Sequence, residues 1–142
     1  MKINLKYQPI TDNAPLFAWD IVAAAHGLSG VDLDYSVASL ELVDGIIEDM
    51  RRDNVPAEQI GGTLFGFGGY VGEVFVWNAD AHWIDLDEVR REYFGHAIGI
   101  EMRDGKLWNP IGKVFKRPSE GISDSIPFSY SQAAPATRMT GH

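Results

Sequence analysis

The sequence contains no cysteine. That absence excludes a disulfide framework, thiolate zinc sites, iron–sulfur clusters and any cysteine nucleophile, and it suits a reducing cytoplasm. Positive charge is scarce as well: 12 Lys and Arg stand against 20 Asp and Glu, a formal net charge of −8. Nucleic acid is therefore a disfavoured partner, because sequence-independent binding to phosphates needs cations. Long apolar runs are missing too. The longest, Gly61 to Trp77, is broken by six glycines and Glu73, and nothing reaches the roughly 18 apolar residues of a transmembrane helix. The opening Met1-Lys2-Ile3-Asn4-Leu5-Lys6-Tyr7 alternates and lacks the apolar core of a signal peptide. No membrane association is expected, and the expected location is cytoplasmic.

What is present is 142 residues, 45% of them hydrophobic, which is the size and apolar content of one globular domain. The chain reads as a single domain over residues 1–132 followed by a weakly ordered tail over residues 133–142. The alternation at residues 2–7 predicts a half-buried edge strand. Asp12 or Asn13, with Pro15, predicts a helix that runs to about His26 and stops at Gly27. Residues 31–35 read as extended, and Ser36 then caps a helix reaching about Asp53. That helix carries Leu40, Val43, Ile47 and Met50 at helical spacing and Glu41, Asp44, Glu48 and Arg52 around the other side.

Residues 56–77 admit two readings. Ile60, Leu64, Phe67, Val71 and Val74 form a helical stripe, whereas the glycines suit a loop leading into a strand. The helix is favoured, because a bare backbone lets neighbours approach closely. The alanines Ala23, Ala24 and Ala25 are the expected contacts. In the second half, residues 82–86 and 97–102 read as strands. Asp104-Gly105 predicts a type I′ hairpin that sets Met102 opposite Leu107 and Glu101 opposite Trp108. Residues 87–94 form a helical turn or an exposed connection, and Asn109-Pro110 starts a short helix that Pro118 ends near Arg117. The fold class is α+β: N-terminal helices packed on a small antiparallel meander of about three to four strands.

Catalytic constellations are absent. Gly66-Phe67-Gly68-Gly69-Tyr70-Val71-Gly72-Glu73-Val74 approximates a kinase glycine-rich loop with one residue too many. The lysine strand, catalytic loop and magnesium motif of that fold are missing. There is no G-K-[ST] and no H-E-x-x-H, so no cofactor, metal or catalytic residue is assigned. Asp80-Ala81-His82 places two ligand-capable side chains on one strand face, without a third ligand in the same motif. Asp32 and Asp34 share one face if their segment is a strand, as paired carboxylates for acid–base work or a hard cation would, but the favoured reading has Asp34 and Ser36 competing to cap the next helix. Glu73, a carboxylate in an apolar stretch, is a candidate binding group, since burial raises a carboxyl pKa. It equally suits pairing with Arg103 or Lys113. Tyr70 beside it, the histidines His82 and His96, and the tryptophans Trp77, Trp83 and Trp108 complete the candidate set, because aromatics are enriched at binding hot spots.

Charge is segregated. Residues 31–58 hold eight acidic and two basic residues, whereas residues 103–117 hold five basic and one acidic. An acidic helical face of this kind steers a partner with a basic surface.

The order Asp32-Leu33-Asp34-Tyr35-Ser36, Gly69-Tyr70-Val71-Gly72-Glu73-Val74, Trp83 and Asn109-Pro110-Ile111-Gly112-Lys113 resembles small uncharacterised bacterial proteins of the domain-of-unknown-function type. The likeness spans about residues 30–118. It implies a stand-alone bacterial cytoplasmic domain and transfers no catalytic residue. By analogy with small acidic immunity partners of secreted toxins, the expected function is a non-enzymatic protein-binding module, immunity-type or regulatory. The alternative is a small enzyme or ligand-binding domain with a pocket around Glu73 and His82 or His96. Homo-oligomerisation through a strand edge or the tryptophan surface is a third reading.

Overall fold

The computed structural model describes residues 5–120 and 125–133. Among these residues six α-helices and one three-stranded sheet follow in the order α1 Ala14–Ser29, α2 Leu40–Arg52, α3 Ala57–Asn78, β1 His82–Asp85, α4 Glu88–Phe94, β2 Ile98–Glu101, β3 Leu107–Trp108, α5 Pro110–Glu120 and α6 Ile126–Ala133. The fold class is therefore α+β, with N-terminal helices and a small antiparallel meander in the order β1-β2-β3. No described helix is long and apolar enough to cross a membrane.

Central to this architecture is α3, which packs against α1 on one side, α5 on another and the sheet at its C-terminal half. Leu64, Phe65, Phe67, Tyr70, Val71, Val74 and Phe75 are all buried along it. Each such side chain contributes roughly 1.5–3 kcal/mol when withdrawn from water, which outweighs about 1 kcal/mol for each helical glycine. The glycines are also contact points. A Cβ on Gly68 would stand 2.6 Å from the Ile111 Cα of α5, and one on Gly72 would enter the Trp83 ring of β1. The glycine-rich stretch is a packing surface that lets α5 and the sheet close onto bare backbone.

Several boundaries differ from expectation for identifiable reasons. The first helix passes Gly27 and ends at Gly30, whose φ of +65° supplies the left-handed cap. Its buried face consists of Ala14, Phe17, Ala18, Ile21 and Ala25, and Ala23 and Ala24 are exposed. Of the expected N-terminal strand, residues 5–7 are not extended sheet and residues 2–4 lie outside the described residues. Tyr7 packs edge-on against Phe17 at 5.1 Å and donates a 2.8 Å hydrogen bond to Asp20, so the segment runs across α1.

The hairpin is present with a different register. Ile100 lies opposite Trp108, and Glu101 opposite Leu107. Only Gly105 within the loop has positive φ, at +87°, and its N–H donates to the Met102 carbonyl. The connection is a three-residue loop with a left-handed glycine, which displaces the pairing by one residue from a type I′ turn. Residues 87–94 do form a helix, because the Asp87 carboxylate accepts the Arg90 N–H and Gly95 ends it with φ +77°. In α5, Asn109 caps as expected by accepting the Gly112 N–H, but Pro118 lies inside the helix. A proline near a C-terminus forfeits one backbone hydrogen bond without stopping the last turn. Ile126 and Tyr130 of α6 are buried, which docks this segment on the body. The tail beyond Ala133 lies outside the described residues.

Candidate functional site

The C-terminal half of α3 gathers three of the candidate residues, Tyr70, Glu73 and Trp77, around one that sequence reasoning missed, Tyr35, and a fourth candidate, Trp83, joins them through Glu73. Residues 31–35 are irregular rather than a strand, and Tyr35 adopts φ +65°. A non-glycine residue in that region costs roughly 1–3 kcal/mol and persists where its surroundings over-determine it. Here they do. The Tyr35 N–H donates to the Tyr70 hydroxyl at 2.8 Å, and the Tyr35 carbonyl accepts from Asn78 Nδ2 at 2.8 Å. Its ring stacks on Trp77 with centroids 4.2 Å apart and planes 14° apart.

Behind this pair lies a buried polar relay. Ser39 Oγ donates to the Ser36 carbonyl at 2.6 Å, so the 2.6 Å contact between Ser39 Oγ and Tyr70 is donated by the phenol. Tyr70 is completely buried, and burial raises its phenol pKa, so it remains a neutral donor. Burial also raises the Tyr35 phenol, with the negative charge of Glu73 as the next cause. Asp34 hydrogen-bonds to the Ser36 N–H and hydroxyl, which lowers its pKa. Asp34 and Ser36 thus act as the local capping pair.

Glu73 is buried and accepts the Trp83 indole N–H at 2.9 Å. That bond joins α3 to β1 beside the Gly72 contact. Among the described residues neither Arg103 nor a histidine is hydrogen-bonded to it: Arg103 pairs with Asp80 at 3.7 Å. His82 precedes Trp83 on β1, so its side chain takes the opposite face of the sheet. There it meets Glu101, its cross-strand neighbour, at 2.8 Å. His96 sits among the rings of Phe65 and Phe115, and burial lowers its pKa. The structure therefore does not bring His82 into one constellation with Glu73, and His96 occupies an apolar aromatic setting.

Trp108 lines a cavity of about 20 Å³ with Val71, Phe75 and Val114, room for about one water molecule. Trp83 and Trp108 both pack against the main core. Trp77 differs from them: it is 62% exposed. Among the described residues no group of three or more His, Asp or Glu is placed to hold a metal ion.

The acidic helix proves to be partly spoken for inside the molecule. Arg117 is fully buried, and its guanidinium binds Asp44 through Nε and Nη2 and Glu48 through Nη1. Asp44 also accepts the Ile126 N–H at 2.8 Å, and Glu48 takes Arg51 as well. Hence the charge segregation serves in part to join α2, α5 and α6. The available signal was spacing: Arg117 follows Val114 by three residues and falls on the buried stripe, where an unpaired cation would not be tolerated. Glu41 and Asp49 remain exposed on α2.

The chain was compared with protein families, curated proteins and solved structures, and none of them gives a significant match. The functional reading accordingly rests on the chain's own geometry.

Proposed function

We propose that this protein is a non-enzymatic protein-binding module, an immunity-type or regulatory partner acting in a reducing cytoplasm, whose docking surface is the Tyr35–Trp77 platform. The observation that carries this reading is the state of Trp77. A large indole is left 62% exposed while its other face is held against Tyr35, and Tyr35 is itself held in a strained conformation by bonds to Tyr70 and Asn78. A rigid, half-open aromatic surface loses little side-chain entropy on binding, which is the usual property of an interface hot spot. Acidic residues around it favour a partner with a basic surface.

The test is capture from a lysate of the parent organism on immobilised protein, with Trp77→Ala alongside. A specific partner retained by the wild type and lost by the variant supports the reading. Equal retention by both, or turnover of a substrate without any retained partner, removes it.

Self-association has one observation of its own in favour. Leu16 and Trp19, neighbours on α1, are 43% and 66% exposed. Light scattering behind size exclusion, with Trp19→Ser as comparison, decides it: a dimer that the variant abolishes supports this second reading.

A further inference from the structure

Resting on that docking reading, we propose that the open face of the Trp77 indole takes the guanidinium of a partner arginine, stacked parallel to the ring on the side away from Tyr35. One observation and two general properties of the groups converge on a cation at this position. Tyr35 and Trp77 are nearly parallel at 4.2 Å, so one face of the indole is covered and the other is free for a planar group. Guanidinium is planar, weakly hydrated and stacks on aromatic faces, whereas a lysine ammonium is a compact, strongly hydrated point charge. Tryptophan is the strongest aromatic acceptor of such contacts.

The surrounding charge has the complementary sign. Trp77 lies in the last turn of the 22-residue α3, which has no basic residue there, so the unsatisfied carbonyl end of the helix presents partial negative charge. Glu73 stands four residues earlier, on the same side of the helix, and its charge acts on the Tyr35 phenol. Asp34 is exposed immediately before Tyr35, and Asp80 is exposed just after α3. Against these three carboxylates stands the guanidinium of Arg103, engaged with Asp80 at 3.7 Å. The platform is also fixed before any ligand arrives, because Tyr70 and Asn78 hold both ends of the Tyr35 peptide unit.

The experiment follows the four indole N–H resonances by NMR in the full chain while short peptides, uncharged apart from a single arginine, lysine, citrulline or leucine side chain, are added. Trp19 serves as the internal comparison, since it is as exposed as Trp77 but lies on α1. The arginine peptide is expected to move Trp77 saturably and to leave Trp19 in place. Lysine and citrulline should act more weakly, and Asp34→Asn should weaken arginine binding about threefold, the scale of one exposed ion pair lost. Equal movement of Trp77 and Trp19, or citrulline acting as strongly as arginine, overturns the proposal. Movement of Trp77 by the leucine peptide alone overturns it too, while leaving the docking surface standing as an apolar one.

Discussion

Arg117 lies fully buried with its guanidinium fork closed on the Asp44 carboxylate, Nε to Oδ1 at 2.9 Å and Nη2 to Oδ2 at 3.0 Å. Seventy-three residues separate the two in sequence. The pair fastens α5 to α2, and the Ile126 N–H on the same carboxylate brings in α6.

Removing one partner should be costly. Arg117→Met leaves Asp44 without its cation and is expected to lose about 3–5 kcal/mol, the usual cost of breaking a buried pair. The double change Arg117→Met with Asp44→Leu should recover part of that loss, because no buried carboxylate is then left uncompensated. Urea unfolding of the three proteins measures it. A double variant no more stable than the single one would show that the carboxylate was never the problem.

Acid should loosen the same junction. Glu48 is held down to about 2 from 4.5, first by its hydrogen bonds with Arg51 and also by Arg117. A depressed carboxyl pKa stabilises the folded state above the unfolded value, and that contribution is lost as pH falls. Thermal melts should therefore show a wild-type loss between about pH 4.5 and 2 that is reduced in Glu48→Gln. Parallel curves for the two proteins over that window would contradict the assignment.

His96 gives a separate window nearer neutrality. Burial lowers its pKa below 6.5, so the unfolded chain binds its proton first. Stability from this site is complete above 6.5 and is lost as pH falls through the lower folded value. In His96→Phe that part of the pH dependence should vanish. NMR titration of the imidazole checks the direction, and a folded pKa above the unfolded one rules the account out.

Two glycine-to-alanine changes should have opposite signs. Gly45 in α2 has nothing within 4 Å of a Cβ, so Gly45→Ala should stabilise by roughly 0.5–1 kcal/mol. Gly68→Ala would press on the Ile111 backbone at 2.6 Å and should destabilise by about 1–3 kcal/mol, as overpacked cores do. Denaturant midpoints distinguish them, and a stabilised Gly68→Ala would mean that α5 can move away freely.

Much of this fold was legible in residue spacing. The apolar stripe of α2 survives intact, and the stripe through Ile60, Leu64, Phe67, Val71 and Val74 correctly outweighed six glycines. The hairpin was visible in Asp104-Gly105, but its register was not, since that depends on whether one loop residue or two take positive φ. The N-terminal alternation misled because period-2 patterning reports one buried side and not what covers it; Tyr7 finds α1 instead of a strand. Of the candidate site, Glu73 and its tryptophan neighbours could be picked out as a buried carboxylate among aromatics. Tyr35 could not, because a left-handed tyrosine carries no periodic mark. The pairing of an acidic helix with a basic one was visible only as two charge totals; the spacing of Arg117 behind Val114 marks a buried cation but does not name Asp44 as its partner.

The contact between Trp83 and bare Gly72, secured by the Glu73 bond, gives the molecule an internal optical gauge. Trp83 sits at the join between helix and sheet and Trp108 packs on the same core from β3, whereas Trp77 and Trp19 face solvent. A blue-edge signal lost before the helical circular dichroism would mark the sheet swinging off α3 as a separate step, and simultaneous loss would mark the two as one cooperative unit. The same ring that fixes the spacing of the fold thus reports, without any label, whether that spacing is held.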